Sequence, residues 1–325
     1  MNYLVTGGAG YIGSHMVRLL QEHNHNVTVI DNLSTGHKEL VNNCELINID
    51  IKDKDAIEKS LSKKYFDGVF HFAAKSIVKE SFINPDLYKK NNVDGTNNLI
   101  EKIKKYEINN FIFSSSASVY GNNHKNYIKE NDNLNPSSPY GETKLESENN
   151  IYRYCKDENF KAISFRYFNA AGAHPSGEIG ENHVPETHLI PNIVKSILDN
   201  QYKLKLFGGK NNPTIDGTCI RDYVHVNDIV NAHYLGMQKI NNLEPYNVFN
   251  IGSGEGYSII EVINAVEIVT NKKVDYAYSE ERQDEPPFLV ADISKIKNHT
   301  KYKPIVSVSE GISRTLDYNN ISAKK

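Results

Sequence analysis

Apolar, largely β-branched runs alternate with segments of helical apolar spacing through the first half of the chain, which predicts strands near residues 2–6, 26–30, 45–49, 67–72, 109–114 and 161–166 with helices between them. Residues 2–6 (Asn-Tyr-Leu-Val-Thr) read as a short buried strand, and a helical run follows from Ile12 to about His23. The stretches Gly68-Val-Phe-His-Phe72 and Phe111-Ile-Phe113 are continuously apolar, as in a parallel sheet covered on both faces. The fold class is therefore α/β, a doubly wound parallel sheet whose ligand lies at the carboxyl ends of the strands, where His71, Ala73, Ser115 and Ser116 fall. From about residue 169 the pattern loosens into Gly/Pro-rich loops with shorter elements at 189–198, 246–252 and 258–270. This predicts a dinucleotide-binding domain over 1–168 and a smaller α/β C-terminal substrate domain over 169–325, some of whose segments return to the first. No low-complexity linker separates the two, so the second part is expected to pack on the first and close a cleft.

Composition narrows the partners. The 325-residue chain carries a net charge of −3, and its pI near 6.5 gives no reason to expect nucleic acid or an anionic membrane. Cys44, Cys155 and Cys219 are widely spaced and odd in number, so neither a disulfide frame nor a cysteine zinc site is expected, and no metal is predicted. The sequence enters its first strand at once and holds no run near the ~18 apolar residues of a membrane span, which predicts a cytoplasmic protein.

Two constellations carry chemistry. The first strand leads into Gly7-Gly8-Ala9-Gly10-Tyr11-Ile12-Gly13, with Gly7, Gly10 and Gly13 at the spacing of a dinucleotide phosphate turn. A pyrophosphate would sit at the N-terminus of the following helix. The second strand ends in Asp31, about 20 residues on, where a carboxylate bonds ribose hydroxyls and repels a 2′-phosphate, favouring NAD over NADP. In Tyr140-Gly-Glu-Thr-Lys144 a phenol and an ammonium lie four residues apart on one helix face, started by Ser138 as N-cap and Pro139. A cation there favours the phenolate and brings a group with a reference pKa of about 10 toward neutrality as a general base.

Together these residues resemble the extended short-chain dehydrogenase/reductase family, with its Rossmann domain, and further motifs narrow the resemblance to the UDP-glucose (UDP-galactose) 4-epimerases. The matching stretches include Asp31-Asn-Leu-Ser-Thr-Gly36, His71-Phe-Ala-Ala74, Asn91-Asn-Val-Asp-Gly-Thr96, Ser114-Ser-Ser-Ala-Ser-Val-Tyr-Gly121, the run from Arg166 to Gly177 and Arg221-Asp-Tyr-Val-His-Val-Asn-Asp228. The likeness covers nearly the whole chain. It implies that Tyr140, Lys144 and Ser116 are catalytic. Ser116 would pass or hold the proton of the sugar 4-hydroxyl. It also implies a cofactor set: Tyr11 and Ile12 at the phosphates; Asp31, Asn32, Leu33, Ser34, Thr35 and Gly36 at the adenosine ribose; Asp50 and Ile51 at the adenine. Phe72, Ala73, Ala74, Lys75 and Ser76 would lie along NAD, with Asn91 behind it, Lys144 on the nicotinamide ribose and Phe168 at the nicotinamide. Asn169, Leu189, Lys205, Leu206, Phe207, Arg221 and Arg282 would contact UDP, and a homodimer would form through 86–105 and 140–157.

Four comparisons with related enzymes sharpen the reading. Where related 4,6-dehydratases carry Asp-Glu, this chain has Ala117-Ser118, so no carboxylic acid is present to eliminate water. The family's frequent Lys after the fourth strand is Ser76, with Lys75 beside it. A family Gly-Asp after Arg282 is Asp284-Glu285. Leu289 stands where epimerases restricted to glucose and galactose tend to have Tyr, which leaves space for an N-acetyl group. The expected activity is interconversion of UDP-glucose and UDP-galactose through a 4-keto sugar. The alternatives are an epimerase acting on UDP-GlcNAc/GalNAc, alone or as a second substrate pair, and, more remotely, a non-catalytic NAD sensor, a class that commonly loses the Tyr/Lys pair kept here.

Overall fold

A computed structural model of the chain describes residues 1–62, 64–122, 127–157, 159–183, 186–199, 202–207, 214–279 and 286–319. A seven-stranded sheet forms in the spatial order Tyr246–Ile251, Lys161–Tyr167, Asn110–Ser116, Gly68–His71, Asn2–Thr6, Asn26–Ile30, Glu45–Ile47. Every neighbouring pair is parallel. The six strands read from the sequence are present within a few residues, and the seventh comes from the later half of the chain. Strand order reverses between Asn2–Thr6 and Gly68–His71, and ligands of such sheets bind in the crevice outside that point.

Alternation along each strand splits the core in two. Val5, Phe70 and Ile112 point to one face with Met16, Val17 and Leu20 of the helix Tyr11–Glu22, while Leu4, Val69, Phe111 and Phe113 point to the other with Leu99, Ile100 and Ile103 of the helix Gly95–Lys105. Both faces are covered, which is why these strands are apolar throughout. A third core joins Ile193, Leu206, Val262, Val266 and Ile312, drawn from the helices Leu189–Leu198, Ile259–Thr270 and Val308–Tyr318 and the strand Leu204–Phe207. That strand pairs in parallel with Tyr276–Ser279. No helix among the described residues is long and apolar enough to cross a membrane.

Candidate active site

The phosphate turn closes because its tightest positions, Gly7 and Gly13, carry no side chain. Gly7 has φ 70°, and a Cβ on it would lie 2.5 Å from the Ala73 amide nitrogen; a Cβ on Gly13 would lie 2.1 Å from the Gly7 carbonyl oxygen. The helix that follows has Gly10 as N-cap with no side-chain cap bond and no acidic residue in its first turn, so its leading N–H groups face the crevice as an anion site. The Tyr11 phenol is drawn away, donating to the Gly172 carbonyl at 2.6 Å.

Asp31 is held by backbone: Ala9 N donates to Oδ2 at 3.0 Å and Leu33 N to Oδ1 at 2.8 Å, with Leu33 in a left-handed conformation (φ 56°). Burial pushes this carboxyl above its ordinary value despite both bonds. Asn32 Nδ2 donates to Asp50 Oδ2 at 3.0 Å, joining the residues expected at ribose and adenine. A tight turn, an uncapped helix start and an oriented carboxylate together fit NAD.

At the other end of the crevice, Ser138 caps the helix Pro139–Tyr154 by accepting from Gly141 N at 3.1 Å, with Pro139 at its first position, as the sequence predicts. Tyr140 and Lys144 share the buried face of this helix, and Ser116, at the end of Asn110–Ser116, acts on the Tyr140 phenol while its own hydroxyl donates to Ser118 Oγ at 3.0 Å and accepts from Ser118 N at 3.1 Å. Lys144 Nζ donates to the Ser114 carbonyl at 2.7 Å and lies 5.8 Å from the centre of the Tyr140 ring. Burial holds the phenol above its ordinary value, with the Ser116 bond acting the other way, and pushes the Lys144 ammonium down to about 7 against the pull of Glu148. Burial thus works against the proton release that the four-residue spacing favours, because the site that brings the pair together also desolvates both charged forms.

Sequence reasoning missed the latch at Asn92, and it placed His71 at the ligand end of its strand without the role the structure gives it. Lys89–Asp94 is a π-helical segment continuous with Gly95–Lys105, and it presents both Asn91 and Asn92 inward. Asn92, not its predicted neighbour, latches the loop after the fourth strand: it accepts from Lys75 N at 2.8 Å, donates to Lys75 O at 3.0 Å and reaches Thr143 at 3.1 Å. His71 lies between Thr6 (2.5 Å) and Thr96 (2.8 Å), and burial lowers its pKa to about 3. Thr96 donates to the Asn92 carbonyl, so His71 Nε2 carries the proton, Nδ1 accepts from Thr6, and the imidazole is a neutral strut. A wide helical turn has no short sequence signature, and a histidine on a buried strand points equally to packing.

The predicted substrate residues form a second group. Leu289 stands in parallel register with Arg221, whose Nη1 donates to the Pro286 carbonyl at 2.7 Å. Asp222, next in the motif, is a buried hub accepting from Ser253 N (2.7 Å), Gly254 N (3.1 Å) and Ala291 N (3.2 Å), and Asn169 N donates to its carbonyl at 2.9 Å. Leu189 opens its helix directly after His188. Lys205 and Phe207 flank Leu206, whose side chain is in the third core, so contact from Leu206 is limited to its backbone. Lys75 is turned toward Glu80, 4.0 Å away. Arg282 and Asp284-Glu285 lie outside the described residues.

Comparison with known proteins decides the family. Residues 3–252 match the NAD dependent epimerase/dehydratase family. A UDP-glucose 4-epimerase of Lactobacillus helveticus is 41% identical over 305 residues, covering 94% of this chain and 92% of that one. The chain belongs to the UDP-glucose 4-epimerase family. The crystal structure of a family member from Stenotrophomonas maltophila, with bound NAD and formylated UDP-arabinopyranose, matches with a TM-score of 0.95 at 32% identity, covering 98% of each chain. The UDP-Glc/GlcNAc 4-epimerase of Campylobacter jejuni matches with a TM-score of 0.85 at 36% identity, again over 98% of each.

Proposed function

We propose that this epimerase interconverts UDP-glucose and UDP-galactose, with residues 1–168 holding NAD and 169–325 holding the UDP moiety. The observation that carries the reaction type is the meeting of Ser116, Tyr140 and Lys144 at one strand end whose next residues are Ala117 and Ser118. A phenol, an amine and a hydroxyl can exchange the proton of a sugar 4-hydroxyl, whereas elimination of water would require a carboxylic acid at that turn. Bound NAD supplies reversible oxidation at carbon 4 and the positive nicotinamide charge that further favours the phenolate.

The protein's own residues do the rest. Tyr140 takes the 4-hydroxyl proton and later returns it, and Ser116 relays or orients it. Lys144, fixed by the Ser114 carbonyl, would hold the cofactor ribose. Arg221 and Asn169 anchor the diphosphate and nucleotide side, which supplies binding energy remote from the reacting carbon and leaves the 4-keto sugar free to turn over. The experiment is incubation of the purified chain with UDP-glucose, followed by NMR. UDP-galactose without net NADH is expected; a 4-keto-6-deoxy sugar would replace epimerisation with dehydration.

A second substrate pair is favoured by Leu289, half-buried and in register with Arg221, because a side chain without the ring and hydroxyl of Tyr would leave room for the N-acetyl group of UDP-GlcNAc. A cytoplasmic homodimer pairing through 86–105 and 140–157 completes the reading, and light scattering at twice the chain mass tests it.

A further inference from the structure

Beside the phosphate turn, one segment gathers four metal-ligating side chains within eight residues: Glu181, His183, Glu186 and His188. One ligand atom of each lies within 4.8 Å of all the others. His188 Nδ1 is 2.8 Å from a carboxylate oxygen of both Glu181 and Glu186, and His183 Nδ1 is 3.3 Å from Glu181 and 3.7 Å from Glu186. The Glu181 side chain is only 4% exposed, and His183 Nδ1 is buried between the two carboxylates with no hydrogen bond of good geometry to either. Glu186 Oε1, the oxygen that faces His188 Nδ1, also accepts from the amides of Thr187 and His188, each at 2.7 Å.

We propose that these four residues form a binding site for a divalent transition ion of the zinc type, which ties their side chains together. Ligands at the 2.0–2.2 Å of zinc–imidazole and zinc–carboxylate bonds stand about 3.4 Å apart in a tetrahedron. The separations found, from 2.8 Å to less than 4.8 Å, bracket that value, so small side-chain adjustments close the shell. Two carboxylates balance the ion's charge, and two imidazoles select zinc-like ions over magnesium or calcium, which prefer oxygen alone. The amide bonds to Glu186 are the outer contacts that orient a ligating carboxylate.

The site has a defined place in the molecule. The His183 ring stands edge-on to Tyr11, 6.1 Å between centres, and His188 immediately precedes the helix beginning at Leu189 without a side-chain capping bond. A bound ion therefore fastens the connection between the cofactor's phosphate turn and the helix that opens the UDP side. Sequence reading looked for zinc among the cysteines and passed over Glu-x-His-x-x-Glu-x-His, the spacing that would have signalled it.

The test uses the full chain without an affinity tag, stripped with a chelator and dialysed against zinc chloride in the presence of a competing chromophoric chelator and excess magnesium. The parent should take up one zinc per chain by mass spectrometry of the metal. Glu186→Gln should weaken uptake at least about tenfold, since even outer contacts of metal ligands are worth 10- to 100-fold, and His183→Ala/His188→Ala should abolish it. Far-UV circular dichroism and retained NAD establish that each variant is folded; if the double variant fails there, Glu186→Gln alone decides. No uptake by the parent, or uptake equal in parent and folded variant, overturns the site and leaves the four residues as ion pairs.

Discussion

Arg166 grips Glu148 with two parallel hydrogen bonds, 2.9 Å from Nε and 2.6 Å from Nη2, and each side chain is only 4% exposed. The pair ties the strand Lys161–Tyr167 to the helix that carries Tyr140 and Lys144. Tyr120, accepting from Arg166 Nη1 at 3.0 Å and donating to Asn250 at 2.7 Å, extends the network to the edge strand.

Arg166→Met should therefore destabilise the fold by about 3–5 kcal/mol, the cost of leaving a buried carboxylate unpaired. Arg166→Met/Glu148→Leu, which removes both charges, should recover most of the loss in urea unfolding. Equal midpoints for the single and double variants would show that the charge pair is not the source.

Tyr140→Phe should lower turnover by about 10² to 10⁴, the range for a lost general base, with little change in UDP affinity. Near-parental turnover would remove Tyr140 from the proton path.

Lys144 yields a pH signature. Burial lowers its folded pKa to about 7 from 10.5, so between those values the native state binds fewer protons than the unfolded chain and stability rises with pH. At pH 7 and below the full cost applies, a few kcal/mol at 1.36 kcal/mol per pKa unit. Lys144→Met should thus abolish activity yet raise Tm at pH 7, with the gain shrinking as pH climbs toward 10. A Tm difference that stays flat over that range would mean that the amine is not held this way.

Gly13→Ala places a methyl 2.1 Å from the Gly7 carbonyl, inside any tolerable contact. The ratio of NAD to protein after purification should fall severalfold or more, because the turn must open to admit it. Unchanged NAD content would separate this glycine from the cofactor.

For substrate breadth, Leu289→Tyr should suppress epimerisation of UDP-GlcNAc more than that of UDP-glucose, read as the ratio of the two kcat/KM values. Equal losses, or no UDP-GlcNAc activity in the parent, would restrict the enzyme to the glucose and galactose pair.

The sheet, the glycine turn and the capped catalytic helix were legible in the sequence because each rests on local physics: apolar runs for buried parallel strands, glycine where a Cβ cannot fit, and Ser138-Pro139 at a helix start. What stayed hidden depends on residues far apart in the chain. The depressed Lys144 follows from burial that no four-residue spacing reveals. Arg166 and Glu148 meet across 18 positions, and the latch from Asn92 to Lys75 spans 17. Lys205-Leu-Phe207 resembled a contact run as a whole, but strand alternation turns its middle residue into the core.

The wide turn at Lys89–Asp94 fixes the rotational phase of everything beyond it. One residue advances an α-helix by about 100°. Deleting a single residue there would swing Leu99, Ile100 and Ile103 out of the core or, if the core held, carry Asn91 and Asn92 away from the loop at Lys75. The extra residue is thus a gearing between two demands on one rod, letting its first turns serve the crevice while its last turns serve the packing.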